Sequence, residues 1–239
     1  MRADSAVGCA PPEKDWGPTF NSIGRYTTQL PIKRRGWNCN GKGKYSSDGG
    51  STVTDLDKQE FLAWAYDDLL TNTTRGVLAE YIVAKALGIR DTKRVEWDQY
   101  DLEINGVGVE VKSAAYAQSW EQTGPSVISF GIGPKTGWDA RANTYAASPG
   151  RSAAVYVFCL LNGTDSDHVD PLDVEQWTFY VLPTSVLNRE VPEQKTIRLG
   201  PLKDLGAHSC AYGELKAAIH AAAAVNRRSS RPGHRGREL

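Results

Sequence analysis

The chain has 239 residues, of which 40% are hydrophobic, and its 28 basic side chains balance 28 acidic ones. This is the composition of a globular protein with one sizeable core, and it excludes a chain that is disordered along most of its length. No apolar run is long enough to cross a membrane and the amino terminus lacks the apolar core of a signal peptide, so the sequence predicts a cytoplasmic protein.

Charge is unevenly distributed along this neutral chain. Residues 1–50 carry eight basic and four acidic side chains, residues 226–239 carry five and one, and the acidic excess lies between them. We therefore predict a basic arm rich in Gly, Ser and Asn at 1–50, a single domain at 51–225 and a basic flexible tail at 226–239. Basic ends are suited to holding phosphates, although a solvated end explains the tail equally well.

One segment of the arm approaches a phosphate-binding loop without completing it. Gly36 to Lys42 reads GWNCNGK, but Gly43 stands where that motif requires Ser or Thr. No buried strand precedes the segment and no helical pattern follows it, so we predict no binding of a nucleotide triphosphate. The four cysteines form no C-x-x-C pair and the four histidines no ligand pattern, which indicates neither a zinc site nor a disulfide framework.

Two helices are predicted after the arm. Apolar spacing predicts an amphipathic helix over 55–70 that packs on the rest of the domain. Thr74 is placed to cap a second helix, which a left-handed Gly88 would end.

Glu80 is the unusual residue of the second helix. At 100° per residue it projects from an apolar stripe, whereas Arg75 lies about 140° around the helix. A buried carboxylate without a partner is costly, so Glu80 needs a cation, a hydrogen-bond donor or a metal. A structural ion pair, for example with Lys112, and a metal site both satisfy this need.

A β-hairpin follows, centred on Asn105-Gly106. This dipeptide between alternating apolar runs favours a two-residue turn with positive φ at both positions. Ile104 then pairs with Val107, which places Asp101 directly opposite Glu110. The apolar face of the hairpin is predicted to face the core. The other face carries four charged side chains: Asp101, Glu103, Glu110 and Lys112.

Two opposed carboxylates repel each other, and a divalent cation between them would remove that penalty. Lys112 could then hold a water beside the metal. A charged outer face on a half-buried hairpin is the ordinary alternative. Glu-x-Lys occurs at two further places, Glu193 to Lys195 in a loop and Glu214 to Lys216 in a helix, so the strand context carries the information.

The remaining elements are predicted from periodicity. Apolar runs predict buried strands at 153–161 and 177–182. An Ala-rich helix at 212–227 would pack on the core or on a second copy of the chain, which leaves a homodimer open.

The order of these features resembles the PD-(D/E)xK nuclease superfamily, also called restriction-endonuclease-like. A helix carrying Glu80 precedes a hairpin on which Asp101 is followed by Glu110-Val111-Lys112. The proline of the superfamily name is absent, since Tyr100 precedes Asp101. The resemblance implies an α/β fold with a restriction-endonuclease-like core, in which helices flank a mixed central sheet. It also implies a strand before the hairpin, at 93–97, and a helix after it, at 139–147.

The resemblance also implies a site. Asp101, Glu110 and Lys112 match the catalytic residues, and Glu80, Asp101 and Glu110 match the metal ligands, joined by the carbonyl of Val111. The metal implied is Mg²⁺, with Mn²⁺ as a substitute. Residues just past the lysine often line the DNA cleft in that superfamily, which makes Ser113 and Gln118 candidate substrate-binding residues.

These features predict a Mg²⁺-dependent DNA endonuclease that cuts phosphodiester bonds in restriction or another form of DNA defence. A repair nuclease or Holliday-junction resolvase on the same fold is the first alternative. A DNA-binding module whose acidic face is only structural is the second.

Overall fold

The structure is a computed structural model that describes residues 56–90, 94, 98–139 and 143–229. The predicted arm at 1–50 lies outside the described residues, as do nearly all of the predicted strand at 93–97 and residues 230–239 of the tail. The predicted division into arm, domain and tail therefore stays a prediction.

The described chain alternates helices and strands. The helices are α1 (Lys58–Tyr66), α2 (Asn72–Leu87), α3 (Thr184–Glu190), α4 (Leu199–Asp204) and α5 (Leu215–Ser229). The strands are β1 (Leu102–Ile104), β2 (Val107–Ala115), β3 (Ser129–Gly131), β4 (Trp138–Asp139), β5 (Thr144–Tyr145), β6 (Val155–Leu161), β7 (Trp177–Pro183), β8 (Thr196–Arg198) and β9 (His208–Cys210). Short 3₁₀ turns at Val174–Gln176 and Tyr212–Glu214 precede β7 and α5.

Five strands form the central sheet in the order β1-β2-β6-β7-β9. β2 and β6 are parallel, whereas the other three neighbouring pairs are antiparallel, so the sheet is mixed. Two small sheets, β3-β8 and β4-β5, lie outside it. This confirms the predicted fold class, an α/β protein with a mixed central sheet flanked by helices. None of the described helices is both long and apolar enough to span a bilayer.

Both faces of the central sheet are covered by apolar packing. Helices α2 and α5 cover one face, where their Leu78, Ile82 and Ile219 join Val111 and Cys159 of the strands. The β3-β8 sheet, α3 and α4 cover the other face and form a second core. It is built around Phe130, Phe158, Leu187, Ile197 and Leu202. Most side chains on both faces of β2 are therefore shielded from water.

The hairpin has the predicted register. Ile104 pairs with Val107, and Leu102 pairs with Val109, in an antiparallel ladder. Asn105 and Gly106 have φ values of 51° and 72°, which is the left-handed conformation that this turn requires. Strand pairing begins at Leu102, one residue after Asp101.

Helix α2 begins earlier than predicted. Its N-cap is Thr71, whose hydroxyl accepts a hydrogen bond from the backbone N–H of Thr74 at 3.3 Å. Thr74 instead lies inside the first turn and its hydroxyl donates to the carbonyl of Asp68. Gly88 ends the helix with a φ of 77°, as predicted.

Two further predictions about local structure are wrong. The segment predicted as a helix at 139–147 contains the strands β4 and β5, whose Trp138 and Tyr145 rings pack 4.7 Å apart. Asn143 has a φ of 55°, which a helix interior does not accept. Helix α1 forms within 55–70, but none of its residues is buried, so the predicted packing of its apolar face is absent from the described structure.

Candidate active site

Glu110 and Lys112 are placed by strand β2. They pair in register with Tyr156 and Phe158 of β6, so their side chains lie on the second-core face of the sheet. The prediction that only the apolar face of the hairpin faces a core is therefore wrong. Glu110 is only 2% exposed. A carboxylate buried this deeply needs compensating partners.

Two lysines provide the described partners of Glu110. The ammonium groups of Lys112 and Lys135 lie 2.5 and 2.6 Å from the same oxygen, Oε1. Lys112 comes from the strand itself and is 24% exposed, whereas Lys135 comes from the loop between β3 and β4 and is 57% exposed. The charge of Glu110 is thus held by two cations that both reach solvent.

Asp101 lies at the point where β1 begins. Its Oδ2 accepts a hydrogen bond of 2.7 Å from the backbone N–H of Val111, the residue between Glu110 and Lys112. Burial, followed by the nearby charge of Glu110, raises the pKa of Asp101 from 3.8 to about 6, against the opposing effects of the Val111 hydrogen bond and of Lys112. The structure therefore brings Asp101, Glu110 and Lys112 together, as predicted.

Glu80 has a partner of its own. Both of its oxygens accept from the guanidinium of Arg94, at 2.5 and 3.1 Å, and its side chain is 14% exposed. The structural ion pair that the sequence allowed is present, but with Arg94 instead of Lys112. Glu80 is still close enough to raise the pKa of Asp101. Among the described residues, no three Asp, Glu, His or Cys side chains form a group that could hold a metal ion.

Two carboxylates nevertheless fit a divalent cation chemically. Asp101 and Glu110 offer hard oxygen donors, and burial, followed by the charge of Glu110, raises the pKa of Asp101, which a bound cation would lower again. The carbonyl of Val111, the residue that follows Glu110 on strand β2, is a third oxygen donor close in sequence. Glu80 could join them directly only by giving up part of its contact with Arg94.

Ser113 and Gln118, the predicted substrate-binding residues, lie together elsewhere. Ser113 faces the first core, since it pairs with Cys159, and its hydroxyl accepts from Nε of Arg75 at 3.1 Å. The carboxamide oxygen of Gln118 accepts from the same guanidinium at 3.2 Å, and Gln118 is buried. Their role in substrate binding stays a prediction, while both already serve a buried arginine.

A cavity of about 530 Å³ adjoins the carboxylates and opens to solvent. Side chains of acidic, basic and aromatic type line it, among them Asp101, Glu110, Lys135, Trp138, Tyr145 and Tyr156. Its volume would admit a nucleotide-sized group beside Asp101 and Glu110.

The sequence analysis missed two residues, Lys135 at the cavity and Arg75 on the other face of β2. Lys135 carries no sequence signal, because its contact with Glu110 depends on how the loop after β3 folds. Arg75 does carry one, since a cation in the first turn of a helix opposes the helix dipole and implies a specific partner. The helical angle predicted only that Arg75 lies away from Glu80, yet Arg75 is 3% exposed.

The fold and site together define an α/β protein with two adjacent carboxylates and two lysines beside an open cavity, a set of groups suited to binding a phosphodiester. The family model described as bacteriophage T4 endonuclease IV matches residues 51–199, more than half of the chain. The chain belongs to that family, and the membership supports a DNA endonuclease. Searches of curated proteins and of solved structures find no significant match.

Proposed function

We propose that the protein is a Mg²⁺-dependent endonuclease that hydrolyses phosphodiester bonds of DNA, with a site of the PD-(D/E)xK type. The observation that carries the proposal is the convergence of Asp101, Glu110 and Lys112 at one end of the β1-β2 hairpin, beside a cavity of about 530 Å³. Sequence order and strand context alone predict all three residues.

Asp101 and Glu110 would hold the metal, with the Val111 carbonyl as a further oxygen donor and Glu80 acting directly or through a water. Mg²⁺, or Mn²⁺ in its place, would supply Lewis acidity that offsets negative charge on the phosphoryl oxygens. The residues favour this role because burial and the charge of Glu110 raise the pKa of Asp101, and a cation bound there would stabilise its ionised form.

Lys112 acts on the attacking water. Its ammonium group leaves Glu110, donates a hydrogen bond to the water and so orients it towards phosphorus. As the new P–O bond forms, the attacking water loses a proton to solvent, the bond from phosphorus to one sugar oxygen breaks, and that oxygen takes up a proton from solvent. The positive charge of Lys112 also stabilises the negative charge that develops on the phosphoryl group.

We also propose restriction or another DNA-defence role, because this is the commonest setting of the superfamily that the motif resembles. The distinction from a repair nuclease or a junction resolvase lies in the DNA structure that is cut, so the assay needs branched and single-stranded DNA as well as duplex.

The test is cleavage of DNA with and without Mg²⁺ by the wild type, Lys112→Ala and Asp101→Asn. Lys216→Ala is the matched control, because Lys216 belongs to another Glu-x-Lys sequence, at the start of helix α5. We expect the wild type and Lys216→Ala to cut only with the metal and the two site variants to be inactive. Equal cutting by the wild type and Lys112→Ala, or binding of every substrate without cutting, would contradict the proposal.

A further inference from the structure

Both the backbone and the side chain of Lys135 make contacts at the site. Its N–H and C=O form two hydrogen bonds of 2.9 Å with Gly150, in an antiparallel bridge. This bridge fixes the main chain at the rim of the cavity, while more than half of the side chain stays exposed. An anchored lysine with a solvated side chain can change partners without moving the fold.

The charges around Glu110 suggest when such a change would occur. Asp101 and Glu110 provide two negative charges, Lys112 and Lys135 provide two positive ones, and Glu80 is paired with Arg94. The group is therefore balanced before substrate arrives. Once a divalent cation neutralises the two carboxylates, at least one of the two ammonium groups no longer has an anionic partner. The phosphodiester that enters the cavity is an anion and can provide one.

Lys135 is better placed than Lys112 to follow the substrate. Lys112 projects from the central strand β2 and is packed against the second core, which leaves it 24% exposed. Lys135 lies on a loop, lines the cavity and is 57% exposed, so its ammonium group can swing from Oε1 of Glu110 into the cavity.

We propose that Lys135 is a phosphate-binding residue that holds Glu110 in the free protein and moves to a non-bridging oxygen of the scissile phosphodiester when metal and DNA bind. The inference rests on the proposed function for the identity of the substrate. It adds a residue that the Asp101, Glu110 and Lys112 motif does not contain.

Lys135 should also weaken the binding of a metal ion. Because Lys135 and a metal ion would both bind the carboxylate of Glu110, they would compete. Removing the ammonium group should therefore strengthen metal binding while it weakens DNA binding. A lysine that only stabilised the fold would do neither.

The first experiment measures DNA binding by Lys135→Met, Lys135→Arg and a control, Lys216→Met, with Ca²⁺ in place of Mg²⁺ to slow cleavage and with EDTA. In Ca²⁺ we expect Lys135→Met to bind roughly tenfold more weakly, with a salt dependence lower by about one phosphate contact. Lys135→Arg keeps the cation and should bind like the wild type. In EDTA, Lys135→Met should bind like the wild type as well.

The second experiment measures Mn²⁺ binding without DNA by electron paramagnetic resonance. Lys135→Met should bind Mn²⁺ several-fold more tightly than the wild type and Lys216→Met. Thermal melting of each variant reports whether it is folded, and Lys135→Arg gives a folded comparison if Lys135→Met melts early.

Two results would overturn the inference. One is a Lys135→Met protein that matches the wild type both in DNA binding in Ca²⁺ and in Mn²⁺ binding without DNA. The other is an equal loss of DNA binding in Ca²⁺ and EDTA, since Lys135 would then contact phosphate without leaving Glu110. Cleavage by the wild type is scored separately. If the wild type cuts DNA and Lys135→Met binds DNA and Mn²⁺ like the wild type, only this inference is refuted. If the wild type never cuts DNA, the proposed function is refuted.

Discussion

A buried charged side chain lies at each of the two faces of strand β2, and the two charges are stabilised in different ways. On the first-core face, Arg75 of helix α2 lies against Ser113. On the second-core face, Glu110 lies against Lys112 and Lys135. Arg75 and Glu110 are similarly buried, at 3% and 2% exposure.

The Arg75 network is closed. Its guanidinium donates to the carbonyl of Leu70 at 2.7 Å and to side-chain oxygens of Asn72, Ser113 and Gln118. These acceptors are all neutral, and burial lowers the pKa of Arg75. Such a network joins the start of α2 to the end of β2 and is suited to holding the fold together.

The Glu110 network is open. Its two described cationic partners reach solvent, and a cavity adjoins the carboxylate. Partners that can be exchanged with solvent, metal or substrate suit chemistry more than stability. A buried charge therefore indicates a functional site when its partners remain exchangeable.

The largest expected effect is the loss of cleavage in Glu110→Gln. We expect the cleavage rate to fall by about 10³-fold, an increase of about 4 kcal/mol in the activation barrier, because one metal-binding oxyanion is replaced by an amide. The free energy of unfolding should change by only about 1 kcal/mol, since the two lysines can be solvated. Single-turnover cleavage and urea denaturation measure the two quantities.

A fall of several kcal/mol in stability, with cleavage kept, would show instead that Glu110 is structural. Glu214→Gln is the control, because Glu214 is the acid of the helical Glu-x-Lys sequence. It should leave the cleavage rate unchanged.

Arg75→Met should lower the stability and leave cleavage almost unchanged, which is the opposite of the effect expected for Glu110→Gln. Removal of the guanidinium leaves the Leu70 carbonyl and the Gln118 carboxamide oxygen without this donor, so we expect a loss of about 3 kcal/mol in the free energy of unfolding. Cleavage per folded molecule should stay within a few-fold of the wild type. The surface ion pair of Arg189 with Glu190 provides the control, and Arg189→Met should cost less than about 1 kcal/mol.

If Arg75→Met were as stable as the wild type, or if it lost cleavage while fully folded, the distinction between the two networks would fail. Urea denaturation of both arginine variants, followed by cleavage assays at a temperature where each is folded, separates these outcomes.

Local sequence signals predicted the hairpin that carries the site. Asn105-Gly106 determined the turn and the register, because few dipeptides accept positive φ at both positions. The buried strand β6 followed from its continuous apolar run, and Gly88 marked the end of α2. These signals depend on neighbouring residues alone.

Contacts between distant segments could not be predicted in the same way. The β3-β8 sheet that buries Glu110, and the loop that brings Lys135 to it, depend on tertiary packing. The β4-β5 hairpin was missed because two-residue strands are too short to show periodicity. The partner of Glu80 could not be identified from the sequence for a related reason. Burial required a cation, but the sequence offered no means of choosing Arg94 over Lys112.

The smallest expected effect is that of Asp101→Asn, which should increase the stability of the protein at neutral pH. The pKa of about 6 in the folded protein lies above the ordinary value of 3.8, so the folded protein holds this proton more tightly than the unfolded chain. The resulting stabilisation is complete below pH 3.8 and is lost as the pH rises through 6. At pH 7.5 the ionised carboxylate therefore destabilises the metal-free protein. Asp101→Asn should remove that effect and gain about 1 to 2 kcal/mol, a value reduced for the partial exposure of the group.

At pH 4 the gain of Asp101→Asn should disappear, because the carboxyl of the wild type is then protonated and neutral. The carboxamide oxygen can still accept from the N–H of Val111, so the local structure should persist. Urea denaturation in EDTA at pH 4 and pH 7.5 measures both differences. A variant less stable than the wild type at both values would show that the Val111 hydrogen bond to the carboxylate outweighs its burial and its repulsion by Glu110. Asp101 would then belong with Arg75 among the groups that hold the fold, and only Glu110 and its lysines would remain as the exchangeable network.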